Sequence, residues 1–126
     1  MYLKAMFYWR FLISPFPNPH VRTNAFMVRR KDFIELSRGA MKRKFQAYLF
    51  ESGRRSLSNK IIKKGLEIAV VGKNGKRYSP QQWKESNTFW IGEQENLLIS
   101  DNQTELYDKA ELYYKKYLSF IAWGVK

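Results

Sequence analysis

Three dense blocks of polar and aromatic residues set the limits on how this chain can fold. The first, residues 15–27, reads Pro-Phe-Pro-Asn-Pro-His-Val-Arg-Thr-Asn-Ala-Phe-Met. The second, residues 50–58, reads Phe-Glu-Ser-Gly-Arg-Arg-Ser-Leu-Ser. The third runs Trp-Lys-Glu-Ser-Asn-Thr-Phe-Trp over 83–90, Gln-Glu-Asn-Leu-Leu over 94–98 and Asp-Asn-Gln-Thr over 101–104. Filling a core does not call for such blocks. They place Asn, Gln, Arg, His and Trp, the groups that hold polyhydroxylated ligands, on turns and element ends. Regular structure must fit between them.

The prolines act first. Pro15, Pro17 and Pro19 each push the preceding residue out of the helical region, so an apolar helix over 2–13 ends there and an extended segment follows. Two readings fit that opening helix: a core element, or a peripheral membrane helix whose aromatics mix with Lys4 and Arg10. It is too short and too charged to span a bilayer, and no signal-peptide cleavage pattern is present.

Downstream, residues 23–28 read as a short buried strand and 29–38 as a short helix ended by Gly39. Residues 41–50 read as a basic helix with Phe45, Tyr48 and Leu49 on one face, broken by Gly53. Ser56 reads as the N-cap of a helix over 57–64 with Leu57, Ile61 and Ile62 inward and Lys63-Lys64-Gly65 closing it. Residues 67–71 are a β-branched strand, and Lys73-Asn74-Gly75-Lys76 is a hairpin turn. Ser79-Pro80 opens a short helix through Trp83. Residues 88–90 and 97–99 are short strands or loop anchors. Thr104 caps a last helix over 105–122, whose stripe is Leu106, Tyr107, Ala110, Tyr113, Tyr114, Tyr117, Leu118 and Ile121. The expected fold is one α/β domain over 1–126: a small mixed sheet around 23–28 and 67–71, flanked by helices, with the long C-terminal helix packed across it.

Composition excludes several classes. With 44% hydrophobic and 17% aromatic residues the chain is globular. It has no Cys, so disulfides and thiolate metal sites are out and a reducing, cytoplasmic setting is expected. With one His, a multi-histidine metal site is also out. No phosphate-cradling glycine loop and no nucleophile elbow appears. Residues 1–64 hold 15 Lys/Arg against 3 Asp/Glu, and residues 65–126 hold 8 of each. The whole net charge of +12 therefore lies in the first half. That asymmetry suits an anionic partner, either nucleic acid, a membrane surface or a phosphorylated small ligand; its bland counterpart is a solvated basic face.

Each candidate site residue has two readings. His20 and Arg22 project into a cleft to meet phosphate or sugar oxygens, or His20 bonds a loop carbonyl and Arg22 is surface. Glu51, beside Arg54 and Arg55, is a base or hydroxyl ligand, or an ion pair that orders its turn. Ser56 and Ser58 favour capping. Trp83, Phe89 and Trp90 stack on a ligand or fill a core. Asp101, Asn102 and Gln103 bind hydroxyls or cap the final helix, with capping favoured.

At these blocks the chain resembles a family of bacterial glycosyltransferase-like proteins of the GT-A type. The matching segments are residues 17–26, 50–57, 70–75, 83–90 and 101–104, and the resemblance spans roughly 9–124. It implies similarity to the C-terminal, acceptor-side half of such an enzyme, acting in surface polysaccharide synthesis on a nucleotide sugar or glycan acceptor. Glu51 would then serve catalysis. His20, Arg22, Arg54, Arg55, Trp90 and Asp101 would bind substrate, with His20 and Arg22 near the donor phosphates. The metal-binding Asp-x-Asp of the donor half does not occur here. The resemblance therefore implies a truncated or split protein, inactive alone. An upstream donor-half polypeptide would complete it, and Mg or Mn would enter only with that half. The other function class is a small basic nucleic-acid-binding protein: basic residues interleave with Phe45 and Tyr48, although no helix-turn-helix, RRM or OB signature is present.

Overall fold

A computed structural model describes residues 10–39 and 41–124. The chain divides into two compact units, Met1–Ile68 and Ala69–Lys126. Most of the expected helix over 2–13 lies outside the described residues; residues 10–12 are helical.

The first unit contains helices α1 (Arg30–Leu36), α2 (Lys44–Ser52) and α3 (Leu57–Lys63), close to the segments that periodicity marks. Ser56 caps α3, its side chain accepting from the backbone N–H of Asn59 at 3.2 Å. Leu57 and Ile61 repeat every four residues, so they share one helix face and form the buried core of this unit with Ile68. Burying a leucine side chain contributes about 2 kcal/mol. Ile62, expected inward, is 47% exposed, because one step along the helix turns it off that face. Phe26, Phe33 and Phe50 form an aromatic row with ring centroids 5.9 and 6.4 Å apart.

Residues 23–28 are not a strand. Thr23 and Asn24 form a turn, 26–28 are irregular, and Met27 is 99% exposed. Among the described residues they join no strand ladder, and the N–H of Thr23 goes to a side chain instead. Among the described residues of this unit only an isolated antiparallel bridge, Ile13 with Gly53, joins extended backbone. Arg54 N–H extends it by donating to the Leu12 carbonyl at 2.9 Å. The approach is close enough that a Cβ on Gly53 would fall 2.6 Å from the Leu49 carbonyl oxygen and 3.1 Å from that of Leu12. Glycine is required there by space.

The second unit is built on an antiparallel hairpin of β1 (Val70–Val71) and β2 (Arg77–Tyr78), with Val70 opposite Tyr78 and Val71 opposite Arg77. The turn lies at the Asn-Gly pair, as expected. A 3-10 helix, Pro80–Ser86, follows; Gln82 Oε1 reaches back to the N–H of Ser79 at 3.2 Å, and Trp83 is buried. Two helices then close the unit, α4 (Asn102–Lys109) and α5 (Leu112–Trp123). The protein is thus helix-rich α/β with a two-stranded antiparallel sheet.

Three expectations for the C-terminal helix need correction. It is broken, because Ala110 and Glu111 are both extended (ψ 146° and 153°). The break lets the Tyr107 hydroxyl meet Ser119 Oγ at 3.3 Å. In a straight helix twelve residues would separate them by about 18 Å. The apolar stripe is also mostly outward. Tyr107 and Leu118 are buried, whereas Leu106, Tyr113, Tyr114, Tyr117 and Ile121 are exposed. Asp101, three residues before the expected Thr104, is the N-cap: its Oδ1 accepts from the N–H groups of Gln103 and Thr104, both at 2.9 Å. Thr104 answers by accepting the Asp101 N–H at 2.8 Å. Among the described residues no helix is long and apolar enough to cross a membrane.

Candidate functional site

In the first unit the first two polar blocks lock together. The proline-rich segment lacks donors at Pro15, Pro17 and Pro19, so it cannot build a ladder of its own. It is held by side chains. Asn18 Nδ2 donates to the Ser52 carbonyl at 2.8 Å. Val21 N–H donates to Ser58 Oγ at 2.8 Å. Thr23 donates to Glu51 Oε1 twice, from its N–H at 2.7 Å and its hydroxyl at 3.1 Å. These three clips pin 18–23 along the end of α2 and the start of α3. Asn59 Nδ2 braces the intervening turn by donating to the Gly53 and Arg54 carbonyls at 3.3 and 3.1 Å.

The clasp puts most of the expected first-unit site residues on two apposed segments. Glu51 is half-buried at the end of α2, and among the described residues both of its bonds fall on Oε1. His20 lies between the clips at Asn18 and Val21. Its Nδ1 contacts the Asn18 carbonyl at 2.7 Å. A carbonyl only accepts, so Nδ1 carries the proton, and in the neutral ring Nε2 holds the lone pair. Arg22 lies between the clips at Val21 and Thr23. Arg54 and Arg55 are exposed in the turn joining α2 to α3, and Arg54 Nε donates to the Ile13 carbonyl at 3.1 Å. The carbonyl bond foreseen as one reading of His20 is present. The ion pair held as the second reading of Glu51 is not found among the described residues; Glu51 accepts from Thr23 instead.

Trp90 and Asp101 belong to the second unit, so the structure does not join them to Glu51 in one compact body. They share Gln103 instead. Asp101 takes the Gln103 N–H, and Trp90 Nε1 donates to the Gln103 carbonyl at 3.0 Å. The Trp90 ring stacks on Phe89 with centroids 4.6 Å apart. Gln103 thus ties Trp90 to Asp101 within the third polar block. Gln94, buried, links its parts: Oε1 accepts the Trp90 N–H at 2.9 Å, and Nε2 donates to the Thr104 carbonyl at 3.0 Å and to Asp108 Oδ1 at 2.8 Å. Trp90 and Gln94 adopt left-handed backbone (φ 48° and 50°), which side chains other than glycine rarely accept without such fixing.

Sequence reasoning missed Asn18, Thr23, Ser52, Ser58 and Asn59 as the parts of the clasp. The available signal is a proline-dense loop whose carbonyls and few N–H groups need partners, close in composition to a serine- and asparagine-rich helix start.

A separate cluster is structural. Asp32, buried in α1, accepts from Arg29 Nε at 2.6 Å and from Lys64 Nζ at 3.0 Å, and Lys64 also reaches Glu35 at 2.8 Å. The bonds from Lys64 and then Arg29 hold the Asp32 carboxyl below the usual carboxylate range, and the bonds to Glu35 and then Asp32 raise Lys64. Among the described residues no three His, Asp or Glu side chains gather to hold a metal ion.

No protein-family model, curated protein or solved structure matches this chain.

Proposed function

We propose that this chain is the acceptor-side part of a GT-A-type, glycosyltransferase-like protein of surface polysaccharide synthesis, and that its clasp binds a nucleotide sugar or a glycan acceptor. The supporting observation is that Glu51 and His20 are each tied at one atom. Thr23 fixes Glu51 Oε1, and among the described residues nothing bonds Oε2. The Asn18 carbonyl fixes His20 Nδ1 and leaves Nε2 open. A side chain held at one end and open at the other meets a ligand with its orientation already set.

In glycosyl transfer an acceptor hydroxyl oxygen attacks the anomeric carbon. The bond from that carbon to the diphosphate oxygen breaks, and its electron pair leaves with the nucleoside diphosphate. In our reading Glu51 Oε2 takes the hydroxyl proton. Arg54 and Arg55 face the charge that grows on the leaving diphosphate, with Arg22 and His20 beside them. The donor-binding half comes from another polypeptide or another part of a longer protein.

Titration with UDP-glucose and GDP-mannose tests the reading. Saturable binding is expected, weakened at least about fivefold by combined Arg54→Gln and Arg55→Gln, which remove two charge-assisted contacts. If neither sugar nucleotide binds, while an oligonucleotide binds with an affinity that falls steeply with salt, the nucleic-acid alternative replaces it.

A further inference from the structure

The chain entering α2 and the first turn of that helix lie at the surface of their unit. Residues 41–48 are all exposed, including Met41 at 43%, Phe45 at 40% and Tyr48 at 46%. The expected inward face of this helix therefore points outward at Phe45 and Tyr48. Lys42, Arg43 and Lys44 lie beside them. None of the three cations has an ion-pair partner among the described residues, and the first turn of α2 carries no acid. Gln46 Oε1 accepts the N–H groups of Lys42 and Arg43 at 2.8 and 3.1 Å, which folds this basic segment back onto the helix. The result is a fixed surface of adjacent cations and apolar side chains.

We propose that this face binds an anionic lipid bilayer peripherally. Charge complementarity carries the choice: three uncompensated cations sit within a half of the chain that holds its entire net charge of +12. Each such cation near an anionic leaflet raises the partition about fivefold. The apolar members favour lipid over nucleic acid. Nucleobases stack on flat rings, which suits Phe45 and Tyr48 but not methionine. Met41 and, elsewhere in the same unit, the fully exposed Met27 have no stacking face, yet both enter an interfacial region readily. The contact lies on the surface, since among the described residues no helix is long and apolar enough to span a bilayer. The proposal does not depend on the glycosyltransferase reading.

Co-sedimentation with phosphatidylcholine vesicles, with and without about 30% phosphatidylserine, tests it. The chain is expected to sediment with the anionic vesicles only, and less so as salt rises. Combined Lys42→Gln, Arg43→Gln and Lys44→Gln should cut the partition about a hundredfold. Combined Met41→Ser and Tyr48→Ser should cut it about tenfold and leave the salt dependence as it was. A control with the same charge loss, Lys73→Gln, Lys76→Gln and Lys84→Gln, should stay within about threefold of the parent. All these positions are exposed, and circular dichroism checks that each variant is folded. The proposal is overturned if anionic vesicles do not bind. Equal weakening by the two triple variants also overturns it, because the attraction would then be diffuse. So does capture of an oligonucleotide while the vesicles stay free, which assigns the face to nucleic acid.

Discussion

Asn96 fills the space that a side chain at position 72 would need. A Cβ on Gly72 would lie 2.6 Å from Asn96 Cγ. The carboxamide has nowhere to swing, because Nδ2 donates to the Ser86 carbonyl at 2.9 Å and to the Tyr78 hydroxyl at 3.3 Å, and Oδ1 accepts the Asn74 N–H at 2.9 Å. Gly72→Ala should therefore destabilise the protein by about 2–3 kcal/mol. In an Asn96→Ala background the same change should cost far less. Urea unfolding followed by tryptophan fluorescence measures both, and equal costs in the two backgrounds would show that the pair does not interact.

Gln94 is the second test of this unit. Gln94→Glu preserves an oxygen for the Trp90 N–H but turns the other end from a donor into an acceptor facing the Thr104 carbonyl and Asp108. The loss should exceed about 2 kcal/mol near neutral pH. It should shrink in acid, where a protonated glutamic acid donates again. A cost that does not vary with pH would refute the assigned orientation of the carboxamide.

How much of this was legible in the sequence depends on the range of the interactions. Ser56, Gly53, Asn74-Gly75 and Ser79-Pro80 mark element ends through their own backbone chemistry, and the structure follows them. The segment 23–28 misled because its apolar residues say nothing of what they face; Met27 faces solvent. The helix break at Ala110 and Glu111 is not marked by the spacing of the apolar stripe, and the contact it permits, Tyr107 with Ser119, spans twelve residues. The site divides the same way. The block residues were visible, but Thr23 as the partner of Glu51 is a contact across 28 residues that no spacing rule encodes.

The Asp32 cluster predicts a pH window. Because the folded Asp32 carboxyl sits below its ordinary value of 3.8, its contribution is fully present above that value and lost as pH falls through the lower folded one. Lys64 is raised above 10.5, so its contribution is fully present below 10.5 and lost as pH rises through its folded value. Asp32→Asn should thus weaken the protein at neutral pH, and the gap from the parent should close at about pH 2. A gap of constant size down to that pH would remove Asp32 ionisation from the account.

Glu51 separates clasp from chemistry. Glu51→Gln keeps an oxygen for Thr23 and should cost under about 1 kcal/mol, whereas Glu51→Ala strands the Thr23 N–H and should cost about 2. Once a donor half is supplied, Glu51→Gln should lower sugar-nucleotide turnover at least about a hundredfold. Turnover that survives in Glu51→Gln while Glu51→Ala unfolds would leave Glu51 a purely structural residue.

The bonds of Asn96 also decide where this chain tolerates added length. Its carbonyl takes the Lys73 N–H at 2.8 Å and its side chain takes that of Asn74, so one distant residue sets the shape of the hairpin tip. A loop tip on the surface is ordinarily where a tag or an inserted domain is accepted. Here the tip at Asn74 is closed to insertion. An open position is the stretch 98–100, where Leu98, Ile99 and Ser100 are exposed and the backbone carries no regular structure.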